Sequence, residues 1–591
     1  MKLDWQQWLR RRLGGVSGRA APALLALAAM ASSAQAQQLA PELEVNANQP
    51  AIFSEPPVSP STTYASYPTN GTSTTAELEA RLRDLESRYQ DQQMRFASLA
   101  EEKAAEAVKE APKGVIIGSD TKMSGNWKDS ASLETADKAF KVKWRGRTQF
   151  DTIGFTDSSQ PYFNGLGGNQ GDTTVDFRRL RIGTEGTIYE QFDFAVELDF
   201  INCFTSNAGT NALNPYGGLK NAFDRQFFGI PAPTDVWIGV RELPIFGTAR
   251  IGNIKPLNGL EHANSSRFLD FMERSLNQDA FVGRFNNGFQ PGVVFWNNND
   301  DQTMTYGTSV TMNAYNVFGY DAGGMDVASR VTWTPWYDEE SHGRYHLHLG
   351  FSTTERRCTQ GQDRLRARGS LRNGIAQSWS NVADTTVFFS SGSTLLIPEV
   401  SLVLGRLHLQ AEYFGQFNRD VAIQTSNVPA QPNPGPNLGT AYFQGYYMQA
   451  SWFLTGEHRE YERKTGSYGR VVPYENFHWM KTGRGSNLLT RGAWQVLYRY
   501  DLLDLNAPQL ANVNIANGGN AGVGGGTVVD HTIGLNHFLN PNMKVQYNFV
   551  VADRSMSAAN TAVPAIPGGA PAQPQTGGTS YGFGVRFALD F

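Results

Sequence analysis

YGFGVRFALDF, residues Tyr581–Phe591, alternates without a break. Tyr581, Phe583, Val585, Phe587, Leu589 and Phe591 fall on one face; Gly582, Gly584, Arg586, Ala588 and Asp590 fall on the other. A period of two marks a strand whose faces meet different surroundings. Gln191–Phe200 repeats it, with Phe192, Phe194, Val196, Leu198 and Phe200 set against Asp193, Ala195, Glu197 and Asp199. Lys141–Asp151 does so again, with Lys141, Lys143, Arg145, Arg147, Gln149 and Asp151 on the wet side.

Alternation alone also fits a sandwich or a propeller. Aromatic residues at the strand ends and charges on the opposite face favour an all-β, transmembrane antiparallel β-barrel with a water-filled lumen. The terminal Phe591 is the closing residue characteristic of bacterial outer-membrane proteins, so the expected location is the outer membrane with its lipid. The chain has 591 residues, 60 glycines, 12% aromatic residues and a mean hydropathy of −0.39. That is the weak hydropathy of alternating strands. After the N-terminus no apolar run approaches the ~20 residues of a membrane helix.

Met1–Ala36 reads as a secretory signal: Lys2, Arg10, Arg11, Arg12 and Arg19, then an apolar run from Ala20 to Ala31, then Ala34-Gln35-Ala36. Losing its five basic residues and Asp4 takes the formal charge from −4 to −8, which disfavours nucleic acid. Residues 37–75, rich in Pro, Ser, Thr and Asn, read as a disordered linker. Residues 76–111 read as a periplasmic coiled coil, with Leu82, Tyr89 and Phe96 at a and Leu78, Leu85 and Leu99 at d; an amphipathic surface helix is the alternative. Residues 112–139 read as a second linker and 140–591 as the barrel.

Strands are expected near 141–155, 174–186, 191–201, 234–243, 248–255, 290–298, 303–314, 325–336, 345–355, 395–404, 407–416, 441–454, 492–505, 528–539, 543–553 and 579–591. That is about 16 strands, with both barrel ends in the periplasm and short turns there at Gly186, Pro244, Asp300, Gly405 and Asn540-Pro541-Asn542. Thr455–Asn487 is long for that side and leaves 18 strands possible. Cys203 and Cys358 fall in different extracellular loops, where a disulfide is allowed.

The third extracellular loop stands out. Ile251–Leu276, IGNIKPLNGLEHANSSRFLDFMERSL, carries Lys255, Glu261, His262, Arg267, Asp270, Glu273 and Arg274 among apolar Leu257, Leu260, Phe268, Leu269, Phe271 and Met272. A surface loop needs no such anchors, so it is expected to fold into the lumen. Glu273 and Arg274 also suit a salt bridge tying loop to wall.

With these segments named, the chain resembles the phosphate- and polyphosphate-selective porins, the O/P porin family, from about Phe140 to Phe591. The resemblance rests on several ordered motifs. Asp176-Phe177-Arg178-Arg179-Leu180-Arg181-Ile182-Gly183 precedes Glu185-Gly186; IGNIKPLNGLE precedes SSRFLDFMERSL. Gln449-Ala450-Ser451-Trp452-Phe453-Leu454-Thr455-Gly456-Glu457, Gly492-Ala493-Trp494, and Gly534-Leu535-Asn536 before Asn540-Pro541-Asn542 complete it. It implies a homotrimer of 16-stranded barrels whose third loop narrows each pore. Ser266 and Arg267 fall where the family has a serine-lysine pair, and Arg274 where it has the arginine after glutamate. Arg for Lys keeps the charge but alters reach.

The candidates for binding small anions at the constriction are therefore Lys255, Ser266, Arg267, Arg274, Arg179, Arg181, Arg145, Arg147 and Asp235. A ladder of Lys141, Lys143, Arg145, Arg147, Arg179, Arg181 and Arg586 faces Asp193, Glu197, Asp199, Asp235 and Asp590, so a mixed-sign network that merely stiffens the wall is the plain alternative. Neutral solutes would then pass equally well. His346 and His348 share a strand face without a third metal ligand, Asn297–Asp301 reads as a turn, and no catalytic spacing or cofactor motif stands out. Other readings are a structural protein tethering the outer membrane to peptidoglycan or another periplasmic partner through the helix, and a secreted β-rich enzyme or carbohydrate-binding protein.

Overall fold

The computed structural model describes residues 121–127, 129–155, 173–204, 230–283, 288–312, 324–358, 361–374, 381–385, 387–422, 435–481, 487–507, 524–555 and 577–591, and six residues between 83 and 94. Those six, Arg83, Asp84, Ser87, Tyr89, Gln90 and Met94, are helical and exposed. The expected leader, the first linker and the other heptad positions lie outside the described residues. The chain divides into two compact units, residues 1–111 and 112–591.

The second unit forms sixteen barrel strands: β1 (Phe140–Phe155), β2 (Thr173–Ile188), β3 (Phe192–Phe204), β4 (Ile230–Leu243), β5 (Gly247–Ile254), β6 (Gln290–Asn298), β7 (Met304–Met312), β8 (Met325–Tyr337), β9 (Tyr345–Arg357), β10 (Gly392–Leu404), β11 (Leu407–Arg419), β12 (Ala441–Phe453), β13 (Ala493–Asn506), β14 (Gly524–Asn540), β15 (Met543–Ser555) and β16 (Gly578–Asp590). Each pairs antiparallel with its neighbours, and β16 returns to β1 with Arg586 opposite Asp151. Closure satisfies every strand edge, as a membrane demands. The alternative of 18 strands is not what forms. Among the described residues, Thr455–Leu489 holds two small hairpins, Tyr461–Glu462 with Ser467–Tyr468 and Trp479–Lys481 with Asn487–Leu489.

Two local expectations change. Within 112–139, read as linker, Met123–Trp127 and Ala131–Thr135 form a hairpin that pairs with the start of β1, Leu133 opposite Val142. The first periplasmic turn lies at Tyr189 and Glu190, both with positive φ (50° and 62°), not at Gly186. Gly186 sits inside β2 because a Cβ there would come within 2.7 Å of the Phe194 ring; close packing, not turning, needs that glycine.

The alternation becomes an inside-out distribution. Ile182, Ile238, Val331, Val400, Met448 and Ile533 are exposed on the outer surface, with Trp144, Trp333, Trp336, Tyr345 and Trp452 toward the periplasmic end and Phe177, Phe417 and Tyr581 toward the other. Arg147, Arg181, Glu197, Arg330, Glu399, Glu412, Arg499 and Arg586 are buried inside. An apolar belt between aromatic girdles around a charged interior suits lipid outside and water inside.

Candidate functional site

Three segments fold into the lumen. The third loop, residues 255–289, enters at Lys255. Its backbone N–H groups at Leu260 and Glu261 donate to the Glu412 carboxylate of β11 (2.6 and 2.9 Å), and Gly259 donates to Ser352 Oγ (2.9 Å). Further along, Leu276 N–H and the Asn277 amide donate to Asp501 of β13, both at 2.6 Å. The Glu261 carboxylate accepts from Ser275 N (3.0 Å) and Oγ (2.7 Å), cinching the loop on itself. Irregular backbone carries N–H groups that no ladder satisfies, and each left bare would cost a few kcal/mol, so wall carboxylates take that role. Apolar Met272, Leu276 and Phe281 add a buried cluster with Phe414 and Phe443 of the wall.

The second segment, between β9 and β10, supplies Leu371 and Phe388 to that cluster and sends Arg372 to Glu273 (3.2 Å). The third, between β12 and β13, enters from the opposite end. Arg459 donates to Phe268 O (2.9 Å) and pairs with Asp270 (3.4 Å), while Tyr468 N–H donates to Asn264 Oδ1 (2.8 Å). The third loop thus rests on a support from below.

On one side of that loop lies a recess lined by Arg147, Arg178, Arg179, Arg181, Asp235, Lys255, Ser265, Ser266, Arg274 and Phe289. Two of the expected residues are not in the lining. Arg145 stands behind it, 3.3 Å from Asp235, 3.2 Å from Glu185 and 3.5 Å from Glu197, and Arg267 lies over the Phe268 ring, 5.9 Å from its centroid. Arg147 donates to Ser266 Oγ, and Gln149 donates to Ser266 O (3.3 Å), fixing that serine against β1. Lys141 sits outside the recess at the periplasmic rim, 3.6 Å from Glu134 of the added hairpin.

Sequence alternation missed Arg178. Gln149 pairs with Arg179 but Phe150 pairs with Phe177, so Arg178 is the extra residue of a β-bulge. The bulge lets Arg178 and Arg179 both face inward, while Phe177 faces out. Adjacent arginines in an otherwise alternating strand were the available signal.

The charges pair unevenly: Arg181 also has Asp199 (3.0 Å), Arg586 has Asp151 (2.6 Å) and Arg372 has Asp279 (3.4 Å), while two glutamates are shared. Glu197 is shared by Arg181 (3.3 Å), Arg145 (3.5 Å) and Arg147 (3.8 Å). Glu273 is shared by Arg178 (2.8 Å), Arg586 (2.9 Å), Arg372 (3.2 Å) and Arg179 (3.5 Å). Burial alone would raise the Glu273 carboxyl, but Arg178 and its three companions outweigh that and hold it well below the usual range. Among the described residues no carboxylate lies within 4.0 Å of Lys255, Arg267 or Arg274. Lys255 Nζ donates only to the carbonyls of His262 (3.3 Å) and Asn264 (3.4 Å); Arg274 donates to Glu261 O (3.0 Å) and Asn264 O (2.7 Å). Burial, with Arg274 beside it, pushes the Lys255 amine well below its ordinary value. The recess is therefore a low-dielectric site with surplus positive charge, which attracts anions.

His346 and His348 face the inward segment. His346 Nε2 is 3.1 Å from Tyr468 Oη; His348 is 2.7 Å from Tyr461 Oη and 3.0 Å from Glu399. Among the described residues no three His, Cys, Asp or Glu side chains form a metal-binding group. Cys358 is buried after β9, whereas the Cys203 side chain lies outside the described residues, so their pairing stays an expectation.

A closed sixteen-stranded barrel, apolar outside and charged within, narrowed by an infolded loop, is a diffusion channel of the outer membrane. A sequence profile of the family described as phosphate-selective porin O and P matches residues 142–568, and the chain belongs to that family. Porin O of Pseudomonas aeruginosa is 23% identical over 438 residues, which is 72% of this chain and 86% of that protein. Among solved structures, the outer membrane channel DcaP of Acinetobacter baumannii is similar (10% identity, 78% of this chain and 99% of that one, TM-score 0.40). So is an anion-selective porin from Comamonas acidovorans (11% identity, 76% and 100%, TM-score 0.39).

Proposed function

We propose that this porin passes small solutes by diffusion and favours oxyanions of the phosphate class at the third-loop recess. The observation that carries the reading is the unequal pairing there: Glu197 and Glu273 are each shared among several guanidiniums, while Lys255 and Arg274 have no carboxylate within 4.0 Å among the described residues. Arginine forks and a lysine amine together suit a tetrahedral oxyanion. The description of the family, phosphate-selective porin O and P, agrees with it. The family resemblance implies a trimer, and the heptads at residues 78–99 suit a coiled coil of its helices in the periplasm, where it would reach toward peptidoglycan or another periplasmic partner.

The test is planar-bilayer conductance in chloride with titrated phosphate, on wild type and Arg274→Ala. Phosphate block that weakens in the variant is expected. No phosphate block in either protein would leave a general diffusion pore, open to neutral solutes alike, and block unchanged by the substitution would clear Arg274 of the role.

A further inference from the structure

Arg250 on β5 lies away from the recess, toward the periplasmic turn. At about 3.3 Å per residue it stands roughly 16 Å along the strand from Lys255. Its guanidinium carbon is 3.8 Å from the Trp237 ring centroid and 4.7 Å from that of Trp296. The register explains this. Arg250 is directly opposite Gly239 on β4 and Val294 on β6, which makes Trp237 and Trp296 its diagonal neighbours on the two flanking strands. Gly239 leaves the space, since a Cβ there would meet Arg250 Cγ at 2.9 Å. The three side chains are only half-buried. They share the lumenal face with Asp235, one pleat from Trp237 and itself part of the recess lining.

The guanidinium held between the indoles has no polar partner. Among the described residues Arg250 makes no hydrogen bond or ion pair, and its buried Nε is unsatisfied. The nearby acids are already engaged: Asp235 and Glu185 by Arg145 (3.3 and 3.2 Å), and Asp193 by Arg241 (2.5 Å). The two terminal nitrogens of Arg250 also have no acceptor among the described residues, and these are the donors that a ligand can reach. This slot differs from the recess in its chemistry. It offers one fork, suited to a bidentate planar carboxylate, flanked by apolar ring surface rather than by more cations. Inorganic phosphate, strongly hydrated and multiply charged, gains little from indoles.

We propose that Trp237, Arg250 and Trp296 form a second binding station at the periplasmic end of the pore, specific for planar organic carboxylates. Solute leaving the recess past Asp235 meets this slot before release. The station extends the anion reading of the pore but is tested apart from it.

The experiment is single-channel recording on the purified full-length protein in planar bilayers, titrating benzoate, cyclohexanecarboxylate and inorganic phosphate separately. Wild type is expected to show benzoate block at lower concentration than cyclohexanecarboxylate, whose puckered ring lies less well against an indole than a flat one does. Arg250→Gln is expected to raise the half-blocking benzoate concentration about tenfold, the loss of one charge-assisted bidentate pair, and to leave phosphate block as it was. Arg250→Lys, which keeps charge but not the fork, provides a second variant should Arg250→Gln not assemble; it too is expected to weaken benzoate block. Absent benzoate block in wild type, equal potency of the two carboxylates, or a parallel loss of benzoate and phosphate block would each overturn the station. Loss of phosphate block alone in wild type would instead overturn the recess reading and leave the station standing.

Discussion

Arg178 Nε donates to Glu273 Oε1 at 2.8 Å, and its second nitrogen reaches Oε2 at 3.0 Å, joining a bulge in the second strand to the tip of the third loop. Both residues are buried, and three more arginines surround the same carboxylate. The glutamate is thus both the loop's anchor and the counterion that lets four cations gather. Glu273→Gln keeps the shape and removes the charge. Breaking a buried ion pair from one side typically costs roughly 3–5 kcal/mol, so the variant is expected to unfold at distinctly lower temperature in detergent. Its reversal potential in a KCl gradient should move further toward chloride. An unchanged melting temperature would mean that the loop is held by its backbone contacts to Glu412 and Asp501 instead.

The bulge itself can be tested. With strict alternation, Arg178 would face lipid and its removal would leave permeation untouched. With the bulge, Arg178→Gln removes one lumenal cation and is expected to reduce anion preference, read as a reversal potential shifted toward zero. A shift matching wild type would place Arg178 off the permeation path.

How much of this was legible beforehand follows from periodicity. A period of two over long runs such as β3 and β16 is robust, because one slip would bury charge in lipid; hence sixteen strands could be placed, with 18 left open by Thr455–Asn487, while the family resemblance rested on the ordered motifs. Bulges and inward segments leave no periodic trace. Arg178 faces inward because β1 and β2 disagree in length between Gln149 and Phe150, a property of two strands together. Thr455–Asn487 looked like an overlong turn because its purpose lies in contacts with residues far away, Arg459 with Asp270 and Tyr468 with Asn264. Nor does sequence show that Lys255 and Arg274 meet only backbone carbonyls while Glu197 and Glu273 are each shared by several arginines, which together leave the recess positive.

The inward periplasmic segment gives the third prediction. Tyr461 and Tyr468 pack in the lumen with Leu260 and Val403, so the segment fills part of the barrel and supports the loop. Replacing His458–Pro473 by a short Gly-Ser turn is expected to raise single-channel conductance and increase open-channel noise as the third loop loses Arg459. Conductance equal to wild type would mean that the ions already bypass this segment.

Lys255 makes a prediction about pH. Its native pKa lies well below the ordinary lysine value because of burial and Arg274. As pH rises through that depressed value, the amine loses its charge at the recess, so phosphate block should weaken at a pH below the usual lysine pKa of about 10.4. The stability contribution runs the opposite way. Between the depressed native pKa and the unfolded value the unfolded chain binds more protons, so stability from this group rises with pH across that window and is flat above it. At pH values below this step, Lys255→Gln is expected to weaken phosphate block by about tenfold, equivalent to ~1.4 kcal/mol, and to abolish the step itself. Lys255→Arg keeps its charge throughout and should keep the block while abolishing the step as well. If the step persisted in both variants, another group would be titrating and Lys255 would not be the anion ligand that its position without a carboxylate partner implies.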